Sequence, residues 1–171
     1  MTFKVGDSVF HQAHGVGRIV GLGQQCFDRQ VGPRLYYEVL ATRGTVWVPA
    51  EESTTPNAPL RFLTTKDELH KYRRVLKSSP TVLDHDRRKR QMDLGGRLKS
   101  GSFLSMCEVV RDLTALGWHK SLNEADAMLL QKVRDDLYQE WAAAAGVSLT
   151  QARQEVDDLL ETARQSFGES V

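Results

Sequence analysis

The sequence predicts an α+β protein in which a small antiparallel β-barrel is followed by an all-helical domain of about five helices. Short segments rich in β-branched and aromatic residues fill the first sixty positions, with turn residues between them. A polar stretch with two prolines follows at 51–59, and hydrophobic residues then recur at helical spacing. We therefore expect two domains, a barrel at 1–60 and a helical domain at 61–171.

Four strands are predicted in the first domain, at residues 8–11, 16–22, 35–40 and 45–48. Several short strands this close together favour a small barrel or a strongly bent sheet. The bends of such a barrel suit glycine, because a side chain there would clash, and four glycines fall in this region: Gly15, Gly17, Gly21 and Gly23.

The helical domain is predicted to begin at Thr65. Acidic residues follow in the first turn of this helix and Lys77 lies in its last, as the helix dipole favours. A second helix is predicted over 84–99. Gly95 and Gly96 lie inside it and indicate a kink or a close helix crossing, because glycine is unfavourable in a helix interior.

The remaining helices are predicted at 103–116, 122–144 and 149–167. Ser102 is a suitable N-cap for the first of them. Capping-box patterns starting at Ser121 and Ser148 open the other two, and Gly146 separates them.

The formal net charge is only +1, but it is unevenly distributed. Residues 61–99 carry twelve Lys and Arg against five Asp and Glu, whereas residues 118–171 carry five against ten. Such asymmetry indicates a surface that faces a polyanion.

Composition also argues against a membrane or secreted protein. No apolar run approaches the roughly 18 residues of a membrane span, and the N-terminus lacks the pattern of a secretory signal. Cys26 and Cys107 stand apart, without the spacing of metal ligands. We therefore expect a cytoplasmic protein that makes no membrane contact.

Catalytic and cofactor-binding motifs are missing from the sequence. The glycines of 15–21 lack the spacing of a dinucleotide loop, and the five histidines form no metal-binding pattern. His85 between Asp84 and Asp86 suggests a hydrolase through proximity alone. We expect no enzymatic activity, no catalytic residue, no metal and no cofactor.

The strongest local signal is the basic run of Arg87, Arg88, Lys89 and Arg90. Successive residues turn around a helix in steps of about 100°, so two or three of these cations can face one ligand. No aromatic residue beside them could stack on bases. We expect sequence-independent contact with DNA phosphates, the alternative being a solvated helix face.

Trp47 lies in the predicted strand at 45–48, where alternation places it on the face opposite Val46 and Val48. If the valines point into the barrel, Trp47 points outward. An exposed tryptophan on an edge strand is typical of an interaction surface. The alternative is that Trp47 packs beneath the helical domain.

Five segments of the chain resemble, in order and spacing, segments of one known family: FKVGDSVFHQAHGVGRIVGL (3–22), TVWVPAE (45–51), PLR (59–61), LKSG (98–101) with EVVRDL (108–113), and LNEA (122–125). Over essentially its whole length the chain thus resembles the CarD/CdnL family of bacterial transcription regulators. The resemblance implies a Tudor-like N-terminal domain, shared with the transcription-repair coupling factor, that binds the β subunit of RNA polymerase. It also implies that the helical domain contacts the upstream edge of the melted promoter and stabilises the open complex.

The family usually carries a tryptophan wedge just before its basic run. In an alignment without gaps from Leu76 to Gly101, that position is Arg87 here. Either Arg87 holds the upstream edge of the melted promoter open electrostatically, or an aromatic residue elsewhere, such as Trp118, acts as the wedge.

Together these features predict a monomeric, non-enzymatic transcription regulator. We expect it to contact the polymerase β subunit through Val46, Trp47 and Val48, and promoter DNA through the run at 87–90. The alternative is a protein-interaction adaptor of the same fold without productive DNA contact, which the missing tryptophan favours and the basic run opposes.

Overall fold

The computed structural model describes residues 2–170, apart from the side chain of Thr54. The chain forms two compact units, of which the first ends at Leu63 and the second begins at Thr64. This division lies three residues after the predicted one. The first unit is an antiparallel sheet and the second is helical, which confirms the predicted α+β fold class.

The sheet of the N-terminal unit has five strands in the order β4-β3-β2-β1-β5. Their bounds are Ser8–His11 (β1), Gly15–Gln25 (β2), Arg34–Ala41 (β3), Gly44–Pro49 (β4) and Leu60–Phe62 (β5). All four predicted strands are present. The fifth, β5, pairs with β1 and has no counterpart among the predicted strands, because three residues are too few to show an alternating pattern.

One face of this sheet carries the hydrophobic core of the N-terminal unit. Alternation along β3 and β4 turns Tyr37, Val39 and Val48 inward, where they pack with side chains from the other strands. Those partners are Phe3, Val9, Ile19, Ala41 and Leu60. Both β4 and β5 are end strands of the sheet, since each pairs with one neighbour.

The glycines of β2 meet the predicted steric requirement in part. A Cβ added to Gly17 would lie 2.9 Å from the main chain of β3, and one added to Gly21 would lie 2.9 Å from Oε2 of Glu38. Gly15 has a φ of 78°, a conformation that favours glycine. Gly23, by contrast, has open space around the Cβ position.

His11, at the end of β1, is buried in the turn that leads to β2. Its Nδ1 accepts the N–H groups of Ala13 and His14, at 3.1 and 3.2 Å. Burial, and to a smaller extent the nearby charge of His14, lower the pKa of His11 to about 4. The neutral ring is therefore the form that the folded turn requires.

The C-terminal unit, as far as the structure describes it, contains five α-helices, which confirms the predicted number. Their bounds are Leu69–Lys77 (α1), Arg87–Leu98 (α2), Phe103–Leu116 (α3), Glu124–Ala145 (α4) and Leu149–Phe167 (α5). Its core is formed by large side chains with 0% exposure, including Leu69, Leu94, Leu113, Leu137 and Trp141.

Three helix starts agree with the sequence. A capping box between Thr65 and Glu68 opens a 3-10 turn that continues into α1. Ser102 caps α3, and a capping box between Ser148 and Gln151 opens α5. Gly146, with a φ of 69°, ends α4 in the left-handed conformation that glycine adopts readily.

One expectation about the helix starts is wrong. The N-cap of α4 is Asn123, whose side chain accepts the N–H of Asp126, rather than Ser121. In α2, nothing lies within 4 Å of a Cβ added to Gly95 or Gly96. These glycines therefore mark no close helix crossing, whereas the alternative of a kink stays a prediction.

Candidate functional site

The end strand β4 presents Trp47 on the outer face of the N-terminal sheet. Val48 is buried in the core and Val46 packs against it, as the alternation predicts. Trp47 lies on the other face of the sheet, where it is paired in register with Glu38 of β3. The structure therefore gives β4 the edge position and the outward tryptophan that an interaction strand needs, whereas its role in polymerase binding stays a prediction.

Trp47 belongs to an aromatic cluster that also contains Phe27 and Tyr36. The ring centroids of Phe27 and Tyr36 lie 5.0 Å apart with an interplanar angle of 87°, and those of Phe27 and Trp47 lie 6.1 Å apart at 53°. Phe27 is 62% exposed. The sequence analysis identified neither of the other two rings of this cluster. Tyr36 could have been found from its alternation with the inward Tyr37, but Phe27 lies in a loop where no periodicity applies.

The basic run opens α2 and is only partly a surface feature. Arg87, Arg88 and Lys89 are exposed in the first turn of the helix. Asp86 is the N-cap and accepts the N–H of Lys89 at 3.0 Å. The structure thus places three cations beside the N-terminus of α2, an end that itself favours anions.

Arg90 does not belong to this surface, which corrects the expectation that it contacts DNA. The residue is only 6% exposed. Its Nε and Nη2 donate to Oδ2 of Asp126, at 3.0 and 2.7 Å, and its Nη1 donates to the carbonyl oxygen of Asp84 at 2.8 Å. Asp126 also accepts Nε2 of Gln91 at 2.6 Å. Arg90 is therefore a structural residue that fixes α2 to the start of α4.

A second buried carboxylate, Asp112 of α3, positions the segment that leads into α2. Asp112 accepts Nη1 of Arg97 at 2.8 Å, Nε of Arg111 at 2.8 Å and the N–H of Thr81 at 2.9 Å. Arg111 also donates to Oγ of Ser78 at 2.8 Å. The direction in which α2 presents its exposed cations is thus set by two ion-pair networks.

The acidic residues on either side of His85 have local structural roles. Oδ1 of Asp84 accepts the N–H of Asp86 at 2.8 Å, while Asp86 caps α2. His85, His119 and Lys120 are among the residues that line a largely apolar cavity of about 320 Å³. The hydrolase alternative therefore gains no support from the positions of its two carboxylates.

Trp118, the other aromatic considered as a wedge, is half-buried just after α3. It lines a groove of about 330 Å³ together with Leu113, Leu122 and Leu160. Trp118 thus lies among side chains of α3, α4 and α5. In the sequence it is distant from the exposed turn at 87–89.

Among residues 2–170, no helix is both long enough and apolar enough to cross a bilayer. No group of three or more His, Cys, Asp or Glu side chains in this range is arranged to hold a metal ion.

Two family models match the chain. The model described as the CarD-like/TRCF RID domain matches residues 3–54, which contain β1 to β4. The model described as CarD, C-terminal domain matches residues 71–157, from α1 into α5, and covers just over half of the chain. The two matches follow the order of the two structural units. The chain therefore belongs to the CarD family, a family of non-enzymatic transcription factors that interact with RNA polymerase.

Proposed function

We propose that this protein binds the β subunit of RNA polymerase through its N-terminal unit and contacts promoter DNA, at the upstream edge of the bubble, through its helical unit. It thereby stabilises the open complex. One observation carries the proposal. In this chain of the CarD family, an end strand presents an outward tryptophan and one helix start presents three exposed cations. We further propose that it acts as a monomer in the cytoplasm, held at the nucleoid by polymerase.

The polymerase contact is proposed to form by strand addition at β4. An end strand offers main-chain donors and acceptors to a partner strand, and alternate side chains supply specificity. Val46 and Val48 anchor β4 to its own core, so that Trp47 is held on a rigid element. A rigid aromatic side chain of this kind is the usual anchor of a protein interface.

The test is a titration of RNA polymerase with the full-length chain. Trp47→Ala should weaken binding by at least about 2 kcal/mol, because an interface anchor contributes at least that much. Val5→Ala, at a residue 61% exposed before β1, is the matched control and should leave the affinity unchanged. Equal affinities of wild type and Trp47→Ala would refute the assignment.

The DNA contact is proposed to be made by Arg87, Arg88 and Lys89. Cations and the positive end of the helix dipole act together on phosphate at this position. With three phosphate contacts, log K should fall against log salt with a slope of roughly −3, from about −0.9 per contact. Direct reading of bases is not proposed, since the run has no aromatic neighbour in the sequence.

A triple alanine variant at 87–89 tests this contact. Its promoter-DNA affinity should be lower and its salt slope should be nearly flat. A charge-matched control replaces three exposed cations of α4 and α5 with alanine: Lys132, Arg153 and Arg164. Wild-type binding by the first variant at every salt concentration would show that the run is a solvated helix face.

The adaptor without productive DNA contact stays a second candidate. The observation that favours it is Arg87, which occupies the position of the family's wedge in the ungapped alignment. If the protein is such an adaptor, it should bind polymerase normally. The triple alanine variant should then have the same promoter affinity as the wild type. Measuring DNA binding with and without polymerase therefore separates the two candidates.

A further inference from the structure

We propose that the outer face of the N-terminal sheet is a binding site for a guanidinium group of the partner, held between the aromatic cluster and the carboxylate of Glu38. The inference rests on the proposed docking of polymerase at β4. It adds the chemical class of the partner residue, an arginine.

The aromatic cluster provides ring faces with which no cation in the described part of the chain makes a cation–π contact. Phe27 stands nearly perpendicular to Tyr36 and packs against Trp47, so the three rings form a corner on the surface. Ring faces carry negative partial charge and attract a cation within about 6 Å of the centroid. The cation–π contacts among residues 2–170 involve Phe10, Tyr138 and Trp141 instead. Arg34, two residues before Tyr36, is exposed.

Glu38 adds a full negative charge beside these rings. It pairs in register with Trp47 on one side and with Gly21 on the other. Its carboxylate extends over Gly21, since Oε2 lies 2.9 Å from the position of a Cβ added there. Although Glu38 is half-buried, its carboxylate has no hydrogen bond or ion pair with any residue that the structure describes.

The glycines of β2 keep the face next to Glu38 open. Gly23 pairs with Tyr36, and nothing lies within 4 Å of a Cβ added to it. The three strands that carry Gly21, Glu38 and Trp47 span two strand spacings, or about 10 Å. A partner side chain can therefore lie flat across the sheet and reach both the rings and the carboxylate.

Charge complementarity selects a cation as the occupant. A purely apolar partner would bury Glu38 without a counter-charge, and an unpaired buried carboxylate is costly. Guanidinium fits better than ammonium, because its planar group stacks on aromatic rings and forms paired hydrogen bonds with a carboxylate. The site therefore matches an arginine better than a lysine or an apolar side chain.

A direct test uses N-acetyl-arginine amide as a probe, with the neutral, isosteric N-acetyl-citrulline amide as its control. The full-length chain is labelled with ¹⁵N, and the indole N–H of Trp47 and the main-chain N–H of Glu38 are followed during titration. We expect concentration-dependent shifts with the arginine probe and none with the citrulline probe. In Glu38→Gln, the shifts with the arginine probe should be largely lost.

Polymerase binding provides the second test. Glu38→Gln should bind polymerase about 5-fold to 20-fold more weakly than wild type, with a smaller dependence on salt. Glu161→Gln removes the same charge from an exposed position of α5 and should bind like wild type. Phe27→Leu, which keeps an apolar side chain but removes the ring, should also weaken binding, whereas Phe27→Tyr should not. Because Phe27 is largely exposed, both of its variants should fold.

The outcomes separate this inference from the docking on which it rests. If Trp47→Ala weakens polymerase binding while Glu38→Gln and Phe27→Leu bind like wild type, the docking stands and the guanidinium site is wrong. Equal shifts with the arginine and citrulline probes also overturn the site. If Trp47→Ala itself binds polymerase like wild type, the docking proposal fails, and the arginine probe alone then decides whether the site exists.

Discussion

Replacing Arg90 with alanine tests the division of the basic run into exposed and structural cations. The substitution removes both charge-assisted hydrogen bonds to Asp126, whose side chain is only 1% exposed. Breaking a buried ion pair by removing one partner costs about 3–5 kcal/mol, because the other charge is left buried. Gln91 and Asn123 still donate to Asp126, so we expect the lower end of this range, about 3 kcal/mol.

The measurement is urea unfolding of the full chain, followed by far-ultraviolet circular dichroism, which reports the helical unit. Arg88→Ala, two residues earlier and exposed, is the matched control and should change stability by less than about 0.5 kcal/mol. A double variant, Arg90→Met with Asp126→Leu, should recover most of the loss because it leaves no buried charge.

Equal stabilities of Arg90→Ala and Arg88→Ala would refute the reasoning. Such a result would mean that the Arg90 guanidinium is solvated rather than paired, and Arg90 would then return to the candidate DNA contacts.

Three further substitution experiments address the wedge position, the buried histidine and the packing of β2. Arg87→Trp should lengthen the lifetime of the open complex with the cognate polymerase, because a tryptophan can fill an opened base step. Trp118→Ala should leave that lifetime unchanged. If Arg87→Trp has no effect and Trp118→Ala shortens the lifetime, the wedge role belongs to Trp118. Between pH 6.5 and 4 the unfolded chain binds more protons at His11 than the folded chain does, so this residue should reduce stability progressively as the pH falls, by about 3 kcal/mol at pH 4 and below. Thermal unfolding of His11→Gln should therefore depend less on pH than that of wild type, and identical pH profiles would contradict this assignment. Gly17→Ala should destabilise the sheet by about 1–3 kcal/mol in urea unfolding, because the new methyl group would meet the main chain of β3 at 2.9 Å; unchanged stability would show that β3 shifts freely.

Features with a short sequence period could be predicted from the sequence. Alternation in β4 assigned Val46 and Val48 to the core and Trp47 to the outer face, and the structure shows this arrangement. The helix starts at Ser102 and Ser148 could be found because a cap and its hydrogen-bond partner lie three residues apart.

Features that depend on distant partners could not be predicted. Arg90 looks like its three neighbours in the sequence, and what buries it is Asp126, thirty-six residues further along. Asn123 rather than Ser121 caps α4, because both residues fit the capping pattern and only the position of the helix decides between them. Phe27 joins Trp47 from a loop, where neither helical nor strand periodicity applies.

The contact between Asp112 and Thr81 has a consequence for hydrogen exchange in the link between α1 and α2. Amides outside helices and strands ordinarily exchange with deuterium quickly, because small local openings expose them. The Thr81 amide instead donates to a carboxylate that two arginines hold in the interior. Its exchange therefore requires an opening that detaches the link from Asp112 of α3. In solution, the Thr81 amide should become deuterated more slowly than an amide that is hydrogen-bonded only to water.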